Sequence, residues 1–257
     1  MNLSNNSKIG DSCFKQCEQL KSVHFSVSRG VSLEIGNFAF SFCKELADFT
    51  FDKPELFEAN SLTINSSVFS NCEKIQSFSF PQNCQNEIGS NCFENCSNLS
   101  SVILPKSITK ISKAMFKNCK KLNSIDLNKE TLISIEDEAF ENCTNLRLVS
   151  LPENLVKIGD RSFKKCTSLK IDSFPQNIEC IGQKAFEKCI GFVQIIIPQS
   201  MKIIQKKAFG DCTHLTKVTN NSPQVVIEEK AFVNCVELKE VLTNKKTGFS
   251  SEAFKGC

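Results

Sequence analysis

The sequence predicts an α/β repeat solenoid, a stack of short units that each contribute one parallel β-strand and one helical turn. Three observations predict it. A phenylalanine followed three residues later by a cysteine occurs eleven times, from Phe14/Cys17 to Phe254/Cys257. Successive copies lie 22 to 29 residues apart, a period that belongs to stacked repeats. Between the copies, apolar and polar residues alternate, which is the pattern of a half-buried strand. The copies follow one another from Ile9 to Cys257 without a linker, so residues 1–257 are read as a single domain of about eleven repeats, the first and last incomplete. In such a stack each unit touches only its neighbours, and the core is a column rather than a ball.

The turn comes first in each unit, as Ile135 to Cys143 illustrates. An isoleucine and the phenylalanine stand five apart, with a small residue just before the ring: Ala39, Ala139, Ala185, Ala208, Ala231 or Ala253, and elsewhere Cys13, Cys92 or Ser162. These three positions are predicted to point inward, and a large group at the small one would hold the turn off the core. Asp11, Ser90, Asp137 and Asp160 lie two residues past the isoleucine, where a side-chain oxygen caps a helix start. Asn71, Asn95, Asn118, Asn142, Asp211, Asn234 and Gly256 lie two past the phenylalanine, and these residue types tolerate the left-handed conformation that ends a helix.

The strand follows. Its inward pairs read Val23/Phe25, Phe49/Phe51, Phe78/Phe80, Val102/Leu104, Ile125/Leu127, Val149/Leu151 and Ile195/Ile197. Pro81, Pro105, Pro152, Pro175 and Pro198 come next or nearly so, and proline, having no N–H to donate, stops a strand. Every strand runs the same way, so the sheet is parallel, and ten steps of about 4.8 Å make a stack on the order of 50 Å long. One copy departs: after Leu169 the inward position holds Asp172 with Ile171 beside it, as a local register shift would produce.

Leu146, Val149, Leu151, Pro152, Leu155, Ile158, Gly159, Phe163 and Cys166 fall on the pattern L-x-x-I-x-L-P-x-x-L-x-x-I-G-x-x-A-F-x-x-C/N, with Ser162 at the alanine. Over essentially its whole length the chain resembles the BspA-like, or Treponema-type, leucine-rich repeats. The resemblance implies a right-handed leucine-rich-repeat superhelix with strands on the concave side and helical turns on the convex side. It also implies a binding protein, since members are mostly that and some are surface adhesins.

Composition narrows the function further. The net charge is only +3, so no nucleic-acid partner is expected. Six lysines between Pro105 and Ile125 read as a solvated edge, with no aromatic interleaved for stacking. No apolar run approaches the length of a membrane span and no signal peptide is readable, so the expected compartment is the cytoplasm, or the cell surface if the chain is a piece of a longer protein. The two histidines, His24 and His214, lie about eight repeats apart and cannot share a site. No phosphate loop, nucleophile elbow or carboxylate pair is present, so no enzyme activity, cofactor, metal or small-molecule substrate is expected. Of the fifteen cysteines, eleven form the periodic set, and Cys13 and Cys92 occupy the small buried position. They are read as reduced, packed thiols.

Residues flanking the inward strand positions are the candidate binding face: Ser77, Ser79, Ser101, Ile103, Ser124, Asp126, Leu148, Ser150, Ile171, Ser173, Gln194 and Ile196. The longer connections Ser26–Leu33 and Asp52–Leu62 are a second candidate, since insertions in repeats often carry contacts. The function expected is a non-enzymatic scaffold that binds a protein partner on the concave face. The alternative is a cell-surface adhesin for a host protein or glycan, and a third reading is a redox- or zinc-responsive cysteine protein.

Overall fold

Most repeats build two short parallel strands, one more than the alternation predicts. The computed structural model describes residues 3, 6–58, 61–82, 88–127, 130–148, 150–171, 173–242, 250 and 252–257. The first ladder is the expected one. It comprises Ser22–Phe25 paired with Asp48–Phe51, then Ser77–Ser79, Ser101–Ile103 and Ser124–Ile125, then Gln194–Ile197, Lys217–Asn220 and Glu240–Leu242. The second ladder ends on the periodic isoleucine. It runs through Ser7–Ile9, Leu33–Ile35 and Leu62–Ile64, and again through Lys110–Ile111, Ser134–Ile135, Lys157–Ile158, Cys180–Ile181, Ile203–Ile204 and Val226–Ile227. Every pairing in both ladders is parallel and in register, isoleucine against isoleucine in the second.

The predicted helical turn is not a helix. Among the described residues the only helical element is a 3-10 turn at Pro54–Leu56, inside the longest connection. The segment around each phenylalanine is instead a staircase of overlapping β-turns. In the first, the N–H groups of Cys13, Lys15 and Cys17 donate to the carbonyls of Gly10, Ser12 and Phe14, each three residues back. The intervening N–H groups of Ser12, Phe14 and Gln16 donate outward, to Asn37, Ala39 and Ser41 of the next repeat. A helix would aim its donors at carbonyls four residues back in the same segment. Here every second one ties two repeats together.

This alternation places a left-handed residue on each side of the phenylalanine. The position two after it has φ of 62° at Asn71 and Asn95, 63° at Asn118 and 64° at Asn142, as the asparagines predict. The position two before it is left-handed as well, and there the residues are mixed: Phe38, Ala114, Glu138, Arg161, Lys184, Lys207 and Lys230 all have φ between 50° and 60°. The aspartates act differently from the expected cap. Asp11, Asp137 and Asp160 accept the backbone N–H of Asn37, Asp160 and Gln183 in the following repeat, at 2.7, 2.9 and 2.8 Å.

Side chains therefore stack in columns. The motif rings from Phe14 to Phe254 form a continuous pile, with neighbouring centroids 5.0 to 6.0 Å apart and planes within 17° of parallel. Each such pair contributes about 0.5–1.5 kcal/mol beyond its burial. The periodic isoleucines and small residues are buried against it. Cys13 is the exception. It is exposed, because no earlier turn among the described residues packs against it, whereas Cys92 is fully buried.

Among the described residues, two consecutive repeats show no strand in the first ladder. Leu148 and Ile171 point into the core, 7% and 4% exposed, each one position earlier than the alternation places an inward residue. Val149 and Asp172, which the alternation places inward, lie outside the described residues. A shift of one residue sends a strand's side chains to the other face, so the binding-face assignment of Leu148 and Ile171 is overturned. Leu151 and Phe174 remain in the core beyond them. The longer connections are also anchored rather than bulging freely: Val27 and Val31 are buried, the Val27 N–H donates to Asp52 Oδ1 at 2.8 Å, and buried Phe57 meets Phe51 edge-on at 5.1 Å.

Two predictions test the packing. A Cβ at Gly182 would stand 2.6 Å from Asp160 Oδ1 and 2.7 Å from the Asp160 backbone N. Gly10 occupies the same place in the first repeat with nothing within 4 Å. Gly182→Ala is expected to lower the unfolding free energy by about 1–3 kcal/mol in urea titration, and Gly10→Ala to leave it within about 0.5 kcal/mol. Ser162 Oγ is buried and has no hydrogen-bond partner, at a position that is alanine in the flanking repeats. Ser162→Ala is expected to stabilise by about 1 kcal/mol in the same titration.

Candidate functional site

Of the candidate residues, Ser77, Ser79, Ile103, Ser124, Asp126, Ser150, Ser173, Gln194 and Ile196 are exposed, and Ser101 is half-buried. The register places them in rows across the first ladder. Ser77 pairs with Ser101 and Ser101 with Ser124, while Ser79 pairs with Ile103. Further along, Gln194 pairs with Lys217, Ile196 with Thr219, and Thr219 with Leu242. The short hydroxyls leave the first half shallow. Ile103 is 57% exposed and projects beyond them.

The face is most sculpted beside the inward-turned Leu148. Asp126 borders two hollows. One, of about 640 Å³, is lined also by Gln82, Ile103, Leu104, Pro105, Lys106 and Glu130. The other, of about 220 Å³, is lined also by Ile125, Leu127, Arg147, Leu148, Ser150 and Pro152. The inward turn of Leu148 makes the second hollow, since a side chain that leaves the face leaves space between its neighbours. Asp126 thus stands between Ile103 in the first hollow and Ser150 and Arg147 in the second. Arg147 carries no signal in the alternating pattern; it lies just before the shifted residue. A third hollow of about 210 Å³ gathers Ser77 and Ser79 with Asp48, Thr50 and Pro54. Ser173, Gln194 and Ile196 border none of these three.

The arrangement suits binding. Charges of both signs flank an exposed isoleucine in an open hollow. His24 Nδ1 stands 2.7 Å from the Thr50 hydroxyl, and His214 Nδ1 stands 3.1 Å from the Ile190 carbonyl. No group of three or more His, Cys, Asp or Glu able to hold a metal ion occurs among the described residues. No helix among them is long and apolar enough to cross a membrane.

The periodic cysteines have a structural role that composition does not announce. From Cys43 to Cys257, each thiol donates to the carbonyl of the preceding repeat's phenylalanine, at 3.0 to 3.3 Å. The same carbonyl already accepts the N–H of its own repeat's cysteine, as Phe116 does from Cys119. All described cysteines are free thiols. Burial pushes the Cys43 thiol up to about 11 and the Cys235 thiol up to about 12, and raises those of Cys72, Cys119, Cys143, Cys189 and Cys212 well above the ordinary value.

Parallel strands stacked at every repeat and a core of columns define a repeat solenoid of the leucine-rich class. The model of the BspA type leucine-rich repeat region matches residues 2–122, 55–149 and 133–257, and the chain belongs to that family. A leucine-rich repeat protein from Bacteroides ovatus is similar in structure, with 25% identity and a TM-score of 0.76, over 98% of this chain and 68% of that one. A leucine-rich repeat protein from Eubacterium ventriosum matches with 18% identity and a TM-score of 0.59, over 97% and 80% of the two chains. The pneumococcal vaccine antigen PcpA matches with 17% identity and a TM-score of 0.56, over 97% and 70%. The last two likenesses concern the fold alone. No curated protein matches.

The thiols generate a pH prediction. Their pKa values are raised in the fold above an unfolded value of about 8.5. Their contribution is therefore whole below that value and is lost as the pH rises past it toward the folded values. The urea midpoint is expected to be insensitive to the thiols between pH 6 and about 8 and to fall steeply above about 9. At neutral pH a thiol reagent is expected to modify Cys13 and Cys257 in the native protein and the fully buried cysteines only on unfolding. Fast labelling of Cys119 or Cys143 in the native state contradicts this account.

Proposed function

We propose that the chain is a non-enzymatic scaffold that binds a protein partner across the first ladder, the side that the family resemblance makes concave. The observation that carries this reading is the meeting of Ile103, Asp126, Arg147 and Ser150 around adjoining hollows on an otherwise shallow hydroxyl-rich sheet. An exposed aliphatic group ringed by charge and hydroxyls has the composition of a small protein-binding patch, with an apolar centre and a polar rim. Solenoid faces of this kind are common binding surfaces. The cytoplasm is the compartment proposed, in keeping with the free state of the described thiols. Protein found at the cell surface by protease shaving would transfer the same face to the adhesin reading.

The test is quantitative capture with the intact chain and an Asp126→Lys/Ser150→Glu variant. Any partner of the wild type is expected to bind the variant at least about tenfold more weakly, a loss of about 1.4 kcal/mol. The thermal unfolding of the variant is expected to match the wild type. Equal affinity for the captured partner overturns the assignment of this face.

A further inference from the structure

We infer that the turn face of repeats seven to ten is a second binding surface, a single-file cationic rail that takes an extended acidic protein segment. The rail is the left-handed position two before the phenylalanine. In four consecutive repeats that position is Arg161, Lys184, Lys207 and Lys230, with φ of 54°, 56°, 57° and 59°.

The four are equivalent in structure. The N–H of Arg161, Lys184 and Lys230 each donates to the next repeat, to the carbonyls of Gln183, Lys206 and Glu252 at 2.9, 3.1 and 3.0 Å. The carbonyl of each closes its own turn, onto Lys164, Glu187, Gly210 and Val233. The repeat step, measured by the rings from Phe163 to Phe232, is 5.1 to 5.3 Å, so the rail is about 16 Å long. Lys165 and Lys188 extend it sideways, four residues on in the same turns and exposed, beside the half-buried Lys184, Lys207 and Lys230.

Two features set this column apart. Like charges one repeat apart repel, and at the position just after the phenylalanine the chain avoids that arrangement. There the sign alternates through Glu94, Lys117, Glu141, Lys164 and Glu187, with Lys117 and Glu141 3.5 Å apart and Lys164 and Glu187 2.7 Å apart. The acids around the rail are also already engaged. Glu138 is shared by Lys117 and Arg161, Glu187 pairs with Lys164, Glu229 with Lys206 and Glu252 with Lys255. Asp211 accepts from Asn234. Among the described residues, Lys165, Lys184, Lys188, Lys207 and Lys230 form no ion pair. Lysine is moreover a costlier occupant of a left-handed position than glycine or asparagine.

Charge complementarity and width identify the occupant. An extended peptide rises about 3.3 Å per residue, so about five residues span the rail. A single file of cations fits one strand of carboxylates, whereas a duplex or a membrane plane needs cations spread over an area. No aromatic ring stands among the lysines to stack bases, as a single-stranded nucleic acid would require. This surface is separate from the proposed site at Asp126, so either can fail alone.

The test is titration of the intact protein with a fluorescent oligoglutamate peptide at low and physiological salt. Binding is expected, and it is expected to weaken as salt rises and the screening length falls to about 8 Å. A Lys184→Gln/Lys207→Gln/Lys230→Gln variant is expected to bind on the order of tenfold more weakly. A Lys110→Gln/Lys120→Gln/Lys121→Gln variant, which removes the same charge elsewhere, is expected to bind as the wild type does. Absence of binding to the wild type, or equal loss in both variants, overturns the inference. So does tighter, rail-dependent binding of a sulfated polysaccharide or a single-stranded oligonucleotide than of the peptide.

Discussion

The division of backbone hydrogen bonds within the turn is the constraint on which the rest of this structure depends. Alternate N–H groups close overlapping turns, and those between them reach across to the next repeat. That division demands a left-handed residue on both sides of each phenylalanine. It also holds successive turns about one strand spacing apart, which brings the rings into face-to-face contact. A helix in the same place would turn its donors to its own carbonyls and leave the turns themselves joined by side chains alone. The turn staircase thus acts as a third ladder, and the thiols reinforce it by donating to the phenylalanine carbonyl that the turn bond already uses.

Stacking in columns makes each position answer to its equivalent one repeat away. Asn95, Asn118 and Asn142 each donate a side-chain hydrogen bond to the asparagine before, at 3.0, 2.7 and 2.9 Å. Glycine is needed where an aspartate of the previous repeat crowds the chain, as Asp160 crowds Gly182. Glu138, whose carboxyl is lowered chiefly by its hydrogen bond to Lys117, ties three repeats by ion pairs. These pairs are partly exposed, so each contributes little alone. Their value is that they match one repeat to the next and penalise a slip of the stack.

The fold class was legible because the period is long-lived and its core residues are large. The phenylalanine, isoleucine and small positions needed only spacing to be read, and the asparagines announced one of the two left-handed residues. The second left-handed position was silent, since Phe38, Glu138 and Lys207 share no chemistry that marks it. The second ladder was hidden for a related reason. Two residues such as Lys157–Ile158 are too few to show an alternation, and the isoleucine alone looks like the start of a helix. The aspartate signal was real but its target lay in the next repeat, which a local cap rule does not consider. At the site, Asp126 and Ser150 were readable from alternation, while Leu148 and Ile171 were not, because their side chains turn into the core one position earlier than the alternation places an inward residue.

The inward turn of Leu148 and Ile171 bears on the proposed function. In a uniform stack every repeat presents the same face, and a partner would find no reason to dock at one step rather than the next. Specificity on such a surface needs an irregularity, and the first ladder supplies one where Leu148 and Ile171 turn inward. The two repeats with no first-ladder strand among their described residues keep their second ladder and their turn staircase. The core column therefore carries the defect without a break in the stack. The second ladder and the turn staircase thus hold the stack in these repeats, and the first ladder is free to depart from the pattern that those two must keep.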